Sequence, residues 1–137
     1  MVQNLYSELV IEHFQHPRNV GTISDADASA MMESPVCGDL MEIYLKIQGG
    51  RVEDAKFRTF GCGAAIASSS MATEMVKGKT LAEALALTDE QVAEALGGLP
   101  PQKMHCSNLA ASTIHRALEA YLETHPEARE QNKERTR

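Results

Sequence analysis

Between residues 40 and 60 the chain reads LMEIYLKIQGGRVEDAKFRTF, and this stretch constrains the fold more than any other. Met41, Ile43, Leu45 and Ile47 fall on one face, and Glu42, Tyr44, Lys46 and Gln48 on the other. That is the period of a strand with one buried face. Gly49-Gly50 supplies a two-residue turn, because glycine takes positive φ without steric penalty. On the return, Ala55, Phe57 and Thr59 alternate with Asp54, Lys56 and Arg58. A β-hairpin over residues 40–60 follows.

Helices are expected on both sides of it. Leu5, Leu9, Val10, His13 and Phe14 recur at helical spacing and predict an amphipathic helix over residues 3–15, ended ahead of Pro17. The segment DASAMMESP reads as a strand leading to Pro35. After FGCG, the run AAIASSSMATEMVKGK is small and apolar on most sides, as in a helix packed under other elements, and Gly78 stops it. TLAEALAL and TDEQVAEAL read as short helices, each opened by a capping threonine, and Thr88 and Gln91 have capping-box spacing. Gly97-Gly98 ends the second, LPPQK continues as an extended segment, and a last helix is expected from about Ser107 to Glu123. Strands first and helices afterwards indicate an α+β layer fold. One domain over residues 1–124 is expected, followed by a charged, flexible tail over 125–137.

A chain of 137 residues can bury a core without disulfide staples. Its net charge of -6 lacks the basic footprint of a nucleic-acid binder. No apolar run reaches the length of a membrane span, and the N-terminus has no export signal. Three cysteines cannot all pair within one chain. A reducing compartment is therefore expected: bacterial cytoplasm, or the mitochondrial matrix for a processed eukaryotic form.

The cysteines share a local setting. Cys37 lies in SPVCGD, Cys62 in FGCGAA where a strand gives way to a helix, and Cys106 in HCSNLA at the mouth of the last helix. Glycine beside cysteine permits tight turns that present sulfur outward. A helix N-terminus favours the thiolate that binds metal, which serves Cys62 and Cys106. A lone cysteine is often only a small buried hydrophobe. Here all three stand at loops or element boundaries and none within a periodic apolar face, which favours a shared metal site. Asp39 and His105 are candidate further ligands, each within two positions of a cysteine; Asp39 could equally cap a turn and His105 be a solvated loop residue. His13, His16, His115 and His125 have no cysteine neighbour and read as structural or surface residues.

PVCGD, FGCGAAIASSS and LPPQKMHCSNLA, one cysteine in each, resemble the signature segments of the NifU/IscU-type iron–sulfur cluster scaffold proteins. The likeness runs from the N-terminal helix to about Tyr121, and is to the single-domain scaffold. His105 beside Cys106 distinguishes it from the zinc-dependent SufU branch. The resemblance implies a three-stranded antiparallel sheet packed against several α-helices. It also implies a transient 2Fe–2S cluster, with zinc a further occupant in the isolated protein. The implied partners are a cysteine desulfurase, a frataxin-like protein, a ferredoxin, a DnaK-type chaperone with its J-type co-chaperone, and acceptor apo-proteins. Leu99-Pro100-Pro101-Gln102-Lys103 matches the family's chaperone segment, with Gln102 in place of valine; a rigid linker between helices is the plain alternative.

Such a cluster takes four protein ligands, usually thiolates, and this chain offers three sulfurs. The fourth donor would come from Asp39, His105 or a partner, with Lys103 as a basic neighbour. An oxygen or nitrogen donor holds iron less firmly than thiolate, which suits a carrier. Cys106, read as lying on an exposed loop, is the expected acceptor of persulfide sulfur. Two rivals are a structural zinc domain built on the same donors and, more remotely, a thiol hydrolase using Cys106.

Overall fold

A computed structural model describes residues 6–34 and 38–125 of the protein. Cys37 and residues 126–137, most of the expected tail, lie outside the described residues. Among those described, the order is α1 (Glu8–Gln15), β1 (Ala28–Glu33), β2 (Leu40–Gln48), β3 (Arg51–Phe60), α2 (Gly63–Val76), α3 (Leu81–Leu85), α4 (Asp89–Ala95) and α5 (Met104–Thr124).

The strands form one antiparallel sheet in the order β1-β2-β3. Gly49 and Gly50 have φ of 62° and 74°, the doubly positive turn whose twist matches the strands it joins. Met41, Ile43 and Leu45 on β2 are fully buried, as the alternation predicts. On β3 the buried residues include Val52 and Ala55, an odd number of positions apart. A β-bulge reconciles them: Leu45 faces Ala55, Ile47 faces Val52, and Glu53 is passed over in the pairing.

The helices cover the apolar face of the sheet. α5 packs on β1 and β2, α2 on β3, and α2 and α5 on each other; α1 lies on α2, and α3 and α4 lie on α5. α2 is buried along most of its length, including Ser68, Ser69, Ser70 and Thr73. α1 starts at Glu8, later than expected, because Ser7 caps it: its hydroxyl accepts from the Val10 amide at 3.1 Å and donates to the Leu96 carbonyl. Val10 and His13 are the buried residues of α1, whereas Leu9 and Phe14 remain about half exposed. Thr80 with Glu83 and Thr88 with Gln91 each complete a capping box.

Two loops lie along the outer edge of β3. The Phe57 amide donates to the Asn19 carbonyl and the Gly21 amide to the Phe57 carbonyl. At the other end the Val52 amide donates to the Lys79 carbonyl, the Gly78 amide to the Val52 carbonyl and the Leu81 amide to the Gly50 carbonyl.

Two expectations near the site are corrected. LPPQK is not extended throughout: Pro101–Lys103 is a 3-10 turn that runs directly into α5. Proline suits the first position of such a turn, where its missing N–H costs nothing. α5 accordingly begins at Met104, three residues ahead of the expected Ser107.

Candidate metal centre

Opposite the Gly49-Gly50 turn, the hairpin ends in the pair Leu40 and Phe60. Asp39 precedes that pair and Gly61-Cys62 follows it, so the ladder places a carboxylate and a thiol at one end of the sheet. The Asp39 carbonyl accepts from the Ser34 amide at 2.8 Å, and the Ser34 carbonyl accepts from the Gly38 amide at 2.9 Å. These bonds close the base of the loop from which Asp39 enters β2.

Cys62 is the N-cap of α2; its carbonyl accepts the first helical amides while its thiol makes no capping bond. The sulfur is thus left for the site. Cys106 lies in the first turn of α5 and is fully buried, packed with Ala64 and Ala65 of α2 and flanked by Tyr6 and Leu99. The Cys62 and Cys106 sulfurs are 3.7 Å apart, and Cys62 Sγ lies 3.6 Å from Asp39 Oδ2. All three donor atoms fall within 4.8 Å of one another. Tetrahedral coordination with metal–sulfur bonds of about 2.3 Å and metal–oxygen bonds of about 2.0 Å requires S···S edges of about 3.8 Å and S···O edges of about 3.5 Å. The two separations that involve the Cys62 sulfur match those edges, so the donor set suits a metal ion.

Two helix starts and a lysine surround the sulfurs. Neither α2 nor α5 carries an acidic residue in its first turn, so the partial positive charge of both helix starts faces the site, where Asp39 brings the negative charge. Lys103 stands nearby. Attraction to the Cys62 sulfur is the main cause that holds its ammonium above the ordinary lysine range; Tyr6, Cys106 and Asp39 add to it, against a desolvation cost.

Among the described residues the converging group is Asp39, Cys62 and Cys106, and His105 does not belong to it. Neighbours on a helix point about 100° apart, so a turn that aims Cys106 inward aims His105 elsewhere. Cys106 is not on an exposed loop, as expected from the sequence; it sits inside α5, and Cys62 is the more accessible of the two sulfurs. Asp39 does not sit in solvent as a turn cap: it is 7% exposed and faces Cys62. Tyr6 and Leu99 pack beside Cys106, although Tyr6 lies outside every sequence motif and Leu99 belongs to the expected chaperone segment. No sequence signal marks such neighbours, because tertiary packing alone brings them there. His13 is a structural histidine, buried with its Nδ1 2.7 Å from Ser70 Oγ. Among the described residues no helix is long and apolar enough to cross a membrane.

Comparison with known proteins agrees with this architecture. Residues 5–128 match the family model described as the NifU-like N terminal domain. The chain is 64% identical over 117 residues to the iron–sulfur cluster assembly scaffold protein IscU 1 of Archaeoglobus fulgidus, covering 85% of this chain and 76% of that protein. It is 50% identical over 120 residues to the scaffold protein IscU of Escherichia coli K12, covering 85% of this chain and 93% of that one. The crystal structure of a nitrogen-fixing NifU-like protein (N-terminal) from Brucella abortus superposes with a TM-score of 0.71 at 22% identity, over 89% of this chain and 97% of that chain. With its hairpin, its two cysteine-bearing helix starts and these relatives, the chain belongs to the family of the NifU-like N-terminal domain.

Proposed function

We propose that this protein is a scaffold on which an iron–sulfur cluster is assembled and from which it is handed to acceptor apo-proteins. The observation that carries the reading is the meeting of Cys62, Cys106 and Asp39 from three separate elements, in a chain whose relatives are named as such scaffolds. Cys37 is the third sulfur of the reading. Two peptide units separate it from Asp39, which limits the distance between their Cα atoms to about 7 Å.

The cluster is cargo, and the donor set explains why it can leave. Three thiolates grip iron strongly, whereas the Asp39 carboxylate is a harder ligand that an incoming thiol can displace. A 2Fe–2S cluster is the form that this four-donor set fits, and zinc fits the same donors in the isolated protein. A purely structural zinc role fits poorly, because the main core of sheet, α2 and α5 is built from apolar side chains and the sulfur site adjoins a separate small cluster. A hydrolase reading finds no histidine in the converging group of described residues, and His13 Nδ1 is held by Ser70. The protein therefore binds and releases, without turning a substrate over.

The finer traffic is part of the same reading. A cysteine desulfurase supplies sulfur, a ferredoxin supplies electrons and a frataxin-like protein sets the rate. A DnaK-type chaperone with its J-type partner acts at Leu99–Lys103. Persulfide arrival at Cys106 requires the turn ahead of α5 to open, since that sulfur is buried in the closed form. Free thiols ready for metal need a reducing compartment, which we read as bacterial cytoplasm, or the mitochondrial matrix for a processed form.

The test is anaerobic incubation of the full chain with ferrous iron, a sulfur donor and reductant. It should yield the visible absorption of a cluster with two irons, and passage of that cluster to an apo-ferredoxin. Cys37→Ser, Cys62→Ser and Cys106→Ser should each abolish stable assembly. Full assembly in any one removes that residue from the site, and failure of the parent chain overturns the reading.

A further inference from the structure

Gly61 lacks a side chain for a reason its backbone does not supply. At Gly49 and Gly50 the positive φ alone accounts for glycine, but Gly61 lies outside that region, so alanine is conformationally admissible there. What excludes a side chain is Asp39. A Cβ at position 61 would stand 2.5 Å from both Cγ and Oδ1 of Asp39 and 2.9 Å from its Cβ. The first two separations fall about 1 Å short of ordinary van der Waals contact, so the Asp39 side chain would have to shift.

The carboxylate is thus confined from two sides. Oδ1 lies against the bare backbone of Gly61, and Oδ2 lies 3.6 Å from Cys62 Sγ. Asp39 is 7% exposed, so it has little open space to retreat into. The hairpin register makes the approach unavoidable, because Leu40 and Phe60 pair and the residues just beyond them must pass each other. Any side chain at 61 would push the carboxylate off the two sulfurs.

We propose that Gly61 is the positioning residue for the oxygen donor: its missing side chain is the space in which the Asp39 carboxylate stands beside Cys62 and Cys106. Gly61 touches neither metal nor cluster and acts only through Asp39. The inference rests on the reading of Asp39 as a ligand given above.

Metal binding to the full chain tests it without recourse to cluster transfer. Zn2+ affinity is read by competition with a chromophoric chelator, and Co2+ supplies d–d bands that report an oxygen donor and charge-transfer bands that report thiolates. Gly61→Ala should weaken Zn2+ binding by about 10–100-fold, the usual cost of losing a ligand's support. It should alter the d–d envelope while leaving the thiolate bands in place. Asp39→Gly, which removes the carboxylate and the crowding Cβ together, should do the same. Adding Gly61→Ala to Asp39→Gly should then change nothing further. Should Gly61→Ala alone fail to fold, the pair Asp39→Gly/Gly61→Ala should fold as well as Asp39→Gly; an unfolded pair overturns the proposal. If Asp39→Gly weakens binding and Gly61→Ala does not, or if the two losses add, Gly61 is not the positioning residue and Asp39 stays a ligand. If Asp39→Gly itself binds Zn2+ as the parent does, Asp39 is no ligand, and both the site reading and this inference fall.

Discussion

Ser68 and Ser70 are two positions apart on α2, both fully buried, and the same substitution should affect them in opposite directions. The Ser70 hydroxyl accepts from the Arg18 amide at 2.9 Å and shares a second hydrogen bond with His13 Nδ1 at 2.7 Å. Ser70→Ala strands both groups where α1 meets α2. Each buried orphan costs about 1–3 kcal/mol, and the Arg18 amide is only partly buried, so a loss of about 2–4 kcal/mol is expected. The Ser68 hydroxyl is buried with no hydrogen-bond partner among the described residues. Ser68→Ala removes an unsatisfied group and installs a better helix former, for a change between zero and about 1 kcal/mol of added stability. Urea unfolding followed by far-UV circular dichroism measures both, since the chain has no Trp to report by fluorescence. At about 3–5 °C per kcal/mol for a domain of this size, the two melting temperatures should differ by roughly 6 °C or more. Equal losses, or a larger loss at Ser68, would refute the assignment of the α1–α2 contact to the Ser70 hydroxyl.

His13 is held below the ordinary histidine value of 6.5, first by burial and then by the Arg18 charge, with Glu12 and Glu74 opposing. The unfolded chain therefore takes up a proton that the folded chain resists. This contribution to stability is whole above about pH 6.5 and is lost as pH falls toward the lower folded value. The urea midpoint should drop between about pH 7.5 and pH 5.5, and His13→Gln should flatten that slope; an unchanged slope would count against it. Iodoacetamide should label Cys62 about tenfold or more faster than Cys106, as peptide mapping would read, because Cys106 is fully buried. Equal rates would mean that the start of α5 opens freely. Asp39→Ala should slow passage of the cluster to an apo-ferredoxin, and faster passage would contradict the exchangeable role of that carboxylate.

The hairpin was legible because alternation and a doubly positive glycine turn are local properties. The bulge at Glu53 is absent from the sequence reading, because which residue is skipped depends on pairing with β2. The start of α5 was misplaced for a local reason as well. Ser107 has the chemistry of a cap, yet here its hydroxyl donates back to the Met104 carbonyl, and Pro101 begins the turn that the helix continues. That shift of three residues moves Cys106 from loop into the first turn of α5, while His105 stays outside the converging group. Asp39 and the two described cysteines could be named from their settings, whereas Gly61 could not. Its partner is 22 positions earlier, and only the strand register shows that the two must pass.

The loops seated along β3 bear on how the protein behaves among its own copies. An open strand edge is a template on which another chain can add a strand, the first step toward ordered aggregates. Here an added strand would have to displace the backbone bonds that Asn19 and Gly21 make at Phe57, and those that Gly78, Lys79 and Leu81 make between Gly50 and Val52. The chain is thereby guarded on this flank against polymerising.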